Sequence, residues 1–264
     1  MEPYMSLSKE ALERYNRHMI LDEFGHDGQE RLAAKKVLVI GSGGLGSPAL
    51  FYLTAAGVGH IGIADSDVVD LSNLNRQILH ATPDLNRSKA DSARETLQAL
   101  NPDVTFTLIK AFVSAGNIMK LIADYDCVID ATDNFASKFL INDACVLSKK
   151  PFVHAGILRF QGQLLTVVPP QSPCYRCVFP EPPEEGTVPS CSEVGVLGAV
   201  PGVLGSIQAS ECLKYLLNIG TLMSGRLLVY DALHATFDTI KVKKNPKCPV
   251  CSPTPRITIP GDPD

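Results

Sequence analysis

The sequence predicts an α/β fold. Its sheet should be doubly wound, parallel in the N-terminal half, with antiparallel strands at the C-terminal end. Three observations predict it. The apolar run Val37 to Ile40 leads directly into four glycines, Gly41, Gly43, Gly44 and Gly46, and then into a helical stretch, Leu45 to Gly57. Strand-like and helical patterns then alternate as far as Val168. Beyond that point one helix and two strands follow one another, which suits an antiparallel end of the sheet.

Taken in order, Ser8 caps a helix running to about Leu21, an N-terminal helical extension with Leu12, Tyr15 and Met19 on one face. Arg14 and Arg17 lie on another flank and read, by spacing alone, as a solvated pair. After the glycine turn, His60 to Asp65 is a strand, Ser88 to Leu100 a helix and Val104 to Lys110 a strand. Asn117 to Tyr125 is a helix, Cys127 to Ala131 a buried strand and Phe135 to Ser148 a helix. Phe152 to Ile157 and Gln163 to Val168 are strands. A helix from about Gly202 to Leu217 precedes strands Arg226 to Tyr230 and Phe237 to Val242. The chain reads as one domain over 1–252, with a nucleotide-binding half at about 30–150 and a second half at 151–252. Residues 253–264 form a Pro-rich tail with little core potential.

Composition excludes several classes. Hydrophobic residues make up 45% of 264, enough for a sizeable core. The formal net charge of -4, with no long basic run, argues against nucleic acid. The N-terminus carries acids and lacks the apolar core of a signal peptide. Val37 to Ala64 has no charged residue, but seven glycines and Pro48 break it, so it is no membrane span. Val194 to Ser210 is short for a span and holds four glycines and Pro201; it reads as buried in the protein or at a subunit interface. A cytoplasmic protein is expected.

The fingerprint Gly41-x-Gly43-x-x-Gly46 sits between a strand and a helix, where it cradles phosphates. Glycines admit the phosphate to the backbone, and the helix N-terminus supplies unpaired N–H donors. It does not choose among NAD, FAD and ATP. Asp65 ends the second strand, where a Rossmann-like fold places an acid on a ribose hydroxyl. Asp67, Ser72, Asn73, Leu74, Asn75, Arg76 and Gln77 follow in a stretch too polar for core. Lys89 has the wrong charge for the first turn of a helix unless an anion lies nearby, so it is either a phosphate ligand or a surface lysine. Asp133 and Asn134 follow a buried strand and face the ligand crevice of such a sheet. Asp133 either holds a magnesium ion beside phosphates or caps the next helix.

Cys174/Cys177 and Cys248/Cys251 form two C-x2-C pairs about seventy residues apart. Four thiolates make a closed tetrahedral zinc site, structural because no position stays open. Redox-active pairs are the alternative, but neither opens a helix in a βαβ context. Cys127, Cys145 and Cys212 read as core. Cys191 follows a Pro- and Glu-rich loop and is a candidate nucleophile.

Seven strings in order, RYNRHMIL (14–21), GSGGLGS (41–47), ADSDVVDLSNLNRQ (64–77), ATDN (131–134), CYRC (174–177), PSCSEVGVLG (189–198) and CPVC (248–251), resemble the ThiF/MoeB/HesA group. These are bacterial relatives of ubiquitin-activating enzymes. The resemblance implies ATP-dependent adenylation of the C-terminus of a small ubiquitin-like sulfur-carrier protein ending in Gly-Gly, preparing a thiocarboxylate for molybdopterin, thiamine or related sulfur biosynthesis. It implies that Gly44 contacts ATP and Asp65 the ribose. Asn73, Arg76 and Lys89 would surround the triphosphate. Asp133 would hold magnesium or orient the carboxylate, with Asn134 beside it. Arg17 would reach into the partner's site of a homodimer, which replaces the solvated reading of the arginine pair. Cys191 matches a crossover-loop cysteine that some members use covalently and others do not need. A separate persulfide donor is implied. Two other readings compete: an NAD-dependent oxidoreductase, which leaves Arg17, Arg76 and Lys89 unexplained, and a non-catalytic carrier-binding scaffold, which needs none of the triphosphate residues.

Overall fold

The computed structural model describes residues 7–184, 186–188 and 191–261, without the side chains of Cys191 and Ser192. A single eight-stranded sheet contains β1 (Lys36–Ile40), β2 (His60–Ala64), β3 (Thr105–Ile109), β4 (Cys127–Asp130), β5 (Phe152–Leu158), β6 (Gln161–Val167), β7 (Arg226–Asp231) and β8 (Thr236–Lys241). Their order is β3-β2-β1-β4-β5-β6-β7-β8. The pairs from β3 to β5 are parallel and those from β5 to β8 antiparallel; the antiparallel end expected beyond Val168 begins earlier, at the β5–β6 hairpin.

Both faces of β1, β2 and β4 are covered, while the edge strand β3 exposes Thr105 and Thr107. Val37 and Val39 of β1 enter one core and Leu38 and Ile40 the other, which is why the strand reads as unbroken apolar sequence. The first core takes α3 (Gly25–Ala33), α4 (Gly46–Ala56), α5 (Lys89–Leu100) and α10 (Ala199–Leu217). The second takes α6 (Ile118–Ile122) and α7 (Phe135–Leu147), with Cys174 and Cys248 among its buried residues. The glycines of Val194 to Ser210 serve close packing. A Cβ at Gly205 would lie 2.2 Å from the Leu45 carbonyl oxygen, so α10 rests directly on the start of α4. α10 begins three residues earlier than predicted, at Ala199. Pro201 costs nothing there, because first-turn N–H groups have no partner within the helix.

The N-terminal helix departs from expectation. It breaks at Tyr15 into α1 (Lys9–Arg14) and α2 (Asn16–Met19), although Ser8 caps it as predicted by accepting from the Ala11 N–H at 3.1 Å. The Tyr15 ring packs under Gly57, where a Cβ would approach it to 2.6 Å, and its hydroxyl accepts from Asn101 Nδ2 at 2.8 Å. That seat, built by residues far away in sequence, sets the break. Helix α3 was not foreseen, and it buries Gln29 and Leu32. Two short helices, α8 (Tyr175–Val178) and α9 (Cys191–Val194), complete the set. The tail is less detached than its composition implied: the N–H groups of Arg256 and Ile257 both donate to Pro249, and Ile257 packs on the second core.

Candidate functional site

The strand order reverses between β1 and β4, and there a cleft of about 250 Å³ opens at the C-terminal ends of the strands. Gly41, Gly43, Gly44, Asp65, Asp67, Arg76, Gln77, Lys89, Asp133 and Asn134 all line it. Gly41 has φ +95°, and a Cβ on it would lie 2.6 Å from the Ala131 carbonyl oxygen, so the first turn of the loop admits only glycine. Gly46 stands behind the lining; a Cβ there would meet the Gly41 oxygen at 2.0 Å.

The acids and cations of the cleft are held in different ways. Asp65 Oδ2 accepts from the Ser42 N–H and hydroxyl, both at 2.8 Å, and Oδ1 accepts from the Asp67 N–H at 2.9 Å. The carboxylate therefore ties the glycine loop to the end of β2. His80 braces the same loop from beneath, with Nε2 3.2 Å from the Ser42 carbonyl oxygen and Nδ1 2.9 Å from Ser92 Oγ. Burial pushes the His80 pKa down, and the Ser42 contact opposes it.

Lys89 is no surface lysine. Its side chain is 8% exposed, and Nζ donates to Asp67 Oδ2 at 3.0 Å, while Asp67 itself is 67% exposed. The anion that its helix-start position called for is, in this structure, a protein carboxylate at the cleft wall. Arg76 also lines the cleft, steadied through Nη1 by the Ser72 carbonyl at 2.9 Å and Asn75 Oδ1 at 3.0 Å. Ser72, Asn73, Leu74 and Asn75 do not line it. They form the short helical turn that carries Arg76, closed by a capping box between Asp70 and Asn73.

Asp133 is exposed, and the capping alternative does not hold for it. Asn134 is the cap of α7, its Oδ1 accepting from the Ser137 N–H at 2.8 Å. Beneath them lies a buried cluster that sequence reasoning missed. Asp130 Oδ2 accepts from His154 Nδ1 at 2.7 Å and from Lys138 Nζ at 3.5 Å. Burial alone would raise the Asp130 pKa, but the Lys138 ammonium, His154 and the Thr132 hydroxyl hold it well below the usual carboxylate range. Burial and the Lys138 charge push the His154 pKa down. The one signal in the sequence was an acid inside the apolar run CVIDA.

Arg17 sits on α2 and does not line the cleft of its own chain. The backbone of Cys191 opens α9, but its side chain lies outside the described residues. Apolar lining from Phe112, Ile157 and Val196 was also not foreseen.

The four predicted metal ligands do meet. The sulfurs of Cys174, Cys177, Cys248 and Cys251 all lie within 4.8 Å of one another, with Cys177 and Cys251 3.4 Å apart. Tetrahedral thiolates on bonds of about 2.3 Å stand about 3.8 Å apart, so this donor set fits zinc. Cys177 Sγ accepts a further hydrogen bond from the Asn245 N–H. The first pair is anchored to α7: Arg176 grips Asp143 through Nε at 2.7 Å and Nη2 at 2.8 Å, and the Tyr175 N–H donates to Asn142. Cys127, Cys145 and Cys212 are buried, as expected.

Comparison with known proteins agrees with this arrangement. The chain is 49% identical to the SAMP-activating enzyme E1 of Haloferax volcanii over 94% of its length and 91% of that relative. It is 48% identical to the sulfur carrier protein adenylyltransferase of Thermus thermophilus, over 95% of its length and 94% of that relative. The probable adenylyltransferase/sulfurtransferase MoeZ of Mycobacterium tuberculosis is also 48% identical, and the chain spans 65% of it. Among solved structures, E. coli MccB superposes with a TM-score of 0.82 at 20% identity, over 96% of this chain and 75% of that one, a likeness of fold. The ThiF family profile matches residues 15–250, and with relatives this similar over nearly its whole length the chain belongs to the ThiF family.

Proposed function

We propose that the chain is a nucleotidyltransferase that adenylates the C-terminal glycine carboxylate of a small ubiquitin-like sulfur-carrier protein. The observation that carries this reading is the composition of the cleft. A glycine loop, Arg76, Lys89 and Asp133 converge at the switch point of the sheet, in a chain whose relatives are named for this activity. The carboxylate attacks the α-phosphorus of ATP, the bond to the β-phosphate bridge breaks, and pyrophosphate leaves with the electron pair. The nucleophile is already ionised, so no side chain need act as a strong base. The demand is for cations against developing charge and for alignment. Arg76 and Lys89 supply charge, and the glycine turn admits the phosphates. Asp133 offers a hard oxygen donor of the kind magnesium takes, and a bound ion would neutralise phosphate charge.

The finer assignments belong to the same reading. The four cysteines hold a structural zinc. The enzyme is a cytoplasmic homodimer in which Arg17 serves the partner's site. Cys191 is the position for any covalent carrier adduct, and a separate persulfide donor supplies sulfur. No helix among the described residues is long and apolar enough to cross a membrane. The test is exchange of labelled pyrophosphate into ATP, with and without a Gly-Gly carrier captured by pull-down. Exchange that ignores the carrier, or none, refutes adenylation. NADH fluorescence on titration would instead support the oxidoreductase reading. Asp133→Ala should abolish exchange in a folded protein, whereas a scaffold would show no exchange to lose.

A further inference from the structure

We propose that Lys138 is a positioning residue: with Asp130 it clamps Thr132 and so fixes the backbone that presents Asp133 to the cleft. The proposal rests on the adenylation reading for its chemical purpose, but its geometry stands separately. Lys138 lies in the first turns of α7, where a cation opposes the helix dipole, and its side chain is 7% exposed. Both placements are unfavourable, yet all three ammonium protons have acceptors. Nζ donates to the Thr132 carbonyl at 2.7 Å, to the Ala155 carbonyl at 2.6 Å and to Asp130 Oδ2 at 3.5 Å. One side chain thereby joins α7, β5, the end of β4 and the turn that follows β4.

The Asp130 carboxylate is equally full. Oδ2 receives His154 Nδ1 and Lys138, and Oδ1 receives the Thr132 N–H at 3.1 Å and hydroxyl at 2.6 Å. Thr132 therefore has its N–H, its hydroxyl and its carbonyl all bonded within one network. On the other side of Asp133, Asn134 is fixed as the cap of α7. Asp133 hangs between two anchored residues with its side chain exposed.

Stability does not account for the cluster. A buried ion pair is commonly matched or bettered by apolar residues of similar volume. An apolar pair could not hold the Thr132 carbonyl. A fully bonded network does what packing cannot: it selects a single backbone geometry for the residue beside it. The reaction is sensitive to the placement of such a group.

The experiment uses the full-length protein in three forms: wild type, Thr132→Val, and the charge-balanced double variant Asp130→Asn/Lys138→Met. Lys138→Met alone strands the buried carboxylate, whereas the double variant leaves no orphaned charge and keeps an acceptor for Thr132. Amide hydrogen exchange is followed at Ala131 and Thr132, whose N–H groups donate to the Ile40 carbonyl and to Asp130, and, as a control, at α5. Pyrophosphate exchange is titrated with magnesium at saturating ATP. We expect Ala131 and Thr132 to lose protection while α5 keeps it. The magnesium concentration for half-maximal rate should rise about tenfold, the scale typical of losing a partner that orients a metal ligand. A purely structural role predicts loss of protection everywhere and a lower rate with unchanged magnesium dependence, and either refutes the proposal. Wild-type protection at Ala131 and Thr132 in the folded double variant also refutes it. If the wild type shows no carrier-dependent exchange, the adenylation reading fails, and the hydrogen-exchange arm still decides whether Lys138 pins the turn.

Discussion

Lys89→Met separates a catalytic from a structural role most sharply. The Lys89 side chain is 8% exposed and its ion-pair partner, Asp67, is 67% exposed, with 3.0 Å between them. Methionine preserves the buried stem and removes the ammonium. Asp67 then returns to water rather than being left buried, so the cost is that of a solvent-facing ion pair, about 0–1 kcal/mol. On the proposed reading, by contrast, Lys89 would face phosphate charge developing in the cleft it lines. Removing one such preorganised donor typically costs about 10²–10³ in rate, or roughly 2.7–4 kcal/mol. The expected result is a melting temperature near that of the wild type with pyrophosphate exchange reduced by about two to three orders of magnitude. Both are measured on one preparation, by thermal melting and by labelled pyrophosphate at saturating ATP. A rate within a few-fold of wild type would refute the role for Lys89. So would a fall in rate that merely tracks the loss of folded protein.

Three further predictions test other parts of the structure. Arg176→Ala leaves Asp143, 4% exposed, without its bidentate partner, and should cost about 3–5 kcal/mol in urea unfolding; a loss below about 1 kcal/mol would show that the grip on α7 is unimportant. Gly41→Ala forces a side chain onto φ +95° against the Ala131 carbonyl, so it should cost at least about 1–3 kcal/mol from the backbone alone and weaken ATP binding as read by calorimetry; wild-type affinity sinks the argument. Acid should destabilise the fold in two stages. His80 and His154 have lowered pKa values, so the unfolded chain takes up their protons first, and stability is full above about pH 6.5 and falls below it. Asp130, also lowered, withdraws its contribution only below about pH 4. Melting temperatures that stay level or rise between pH 7 and pH 5 contradict the first stage.

The legible parts of the sequence were those whose cause is local. The glycine turn could be read because strand, turn and helix adjoin, and its lining of the cleft follows. The cysteine cluster could be read because two identical pairs leave few other uses for four thiols. What escaped was tertiary. The break at Tyr15 depends on Gly57 and Asn101, which no window around residue 15 contains. Helix α3 was hidden by Gly25 and Gly28, two poor helix residues tolerated because Gln29 and Leu32 are buried. Lys138 and His154 look unremarkable within their own elements, and Asp130 stands out only as an acid in an apolar run. Their meaning appears only where β4, α7 and β5 meet.

The same logic ranks the acids of the site. Asp65 is bonded to the glycine loop through Oδ2 and to the Asp67 N–H through Oδ1, Asp67 is the counter-ion of Lys89, and Asp130 is saturated by four donors. Each has work inside the protein. Among the described residues Asp133 has no side-chain hydrogen bond, although it lines the cleft and its backbone neighbours are anchored on both sides. An acid held in place with its carboxylate unspent is what the proposed ligand role of Asp133 requires. Asp133→Asn and Asp65→Asn should therefore part company. The first should keep the wild-type melting temperature and lose exchange, because only the ligand notices. The second should lower both, because the Ser42 contacts that shape the loop weaken with the charge. Equal melting temperatures for the two variants would show that Asp65 serves the ligand alone, and a destabilised Asp133→Asn would show that Asp133 serves the fold after all.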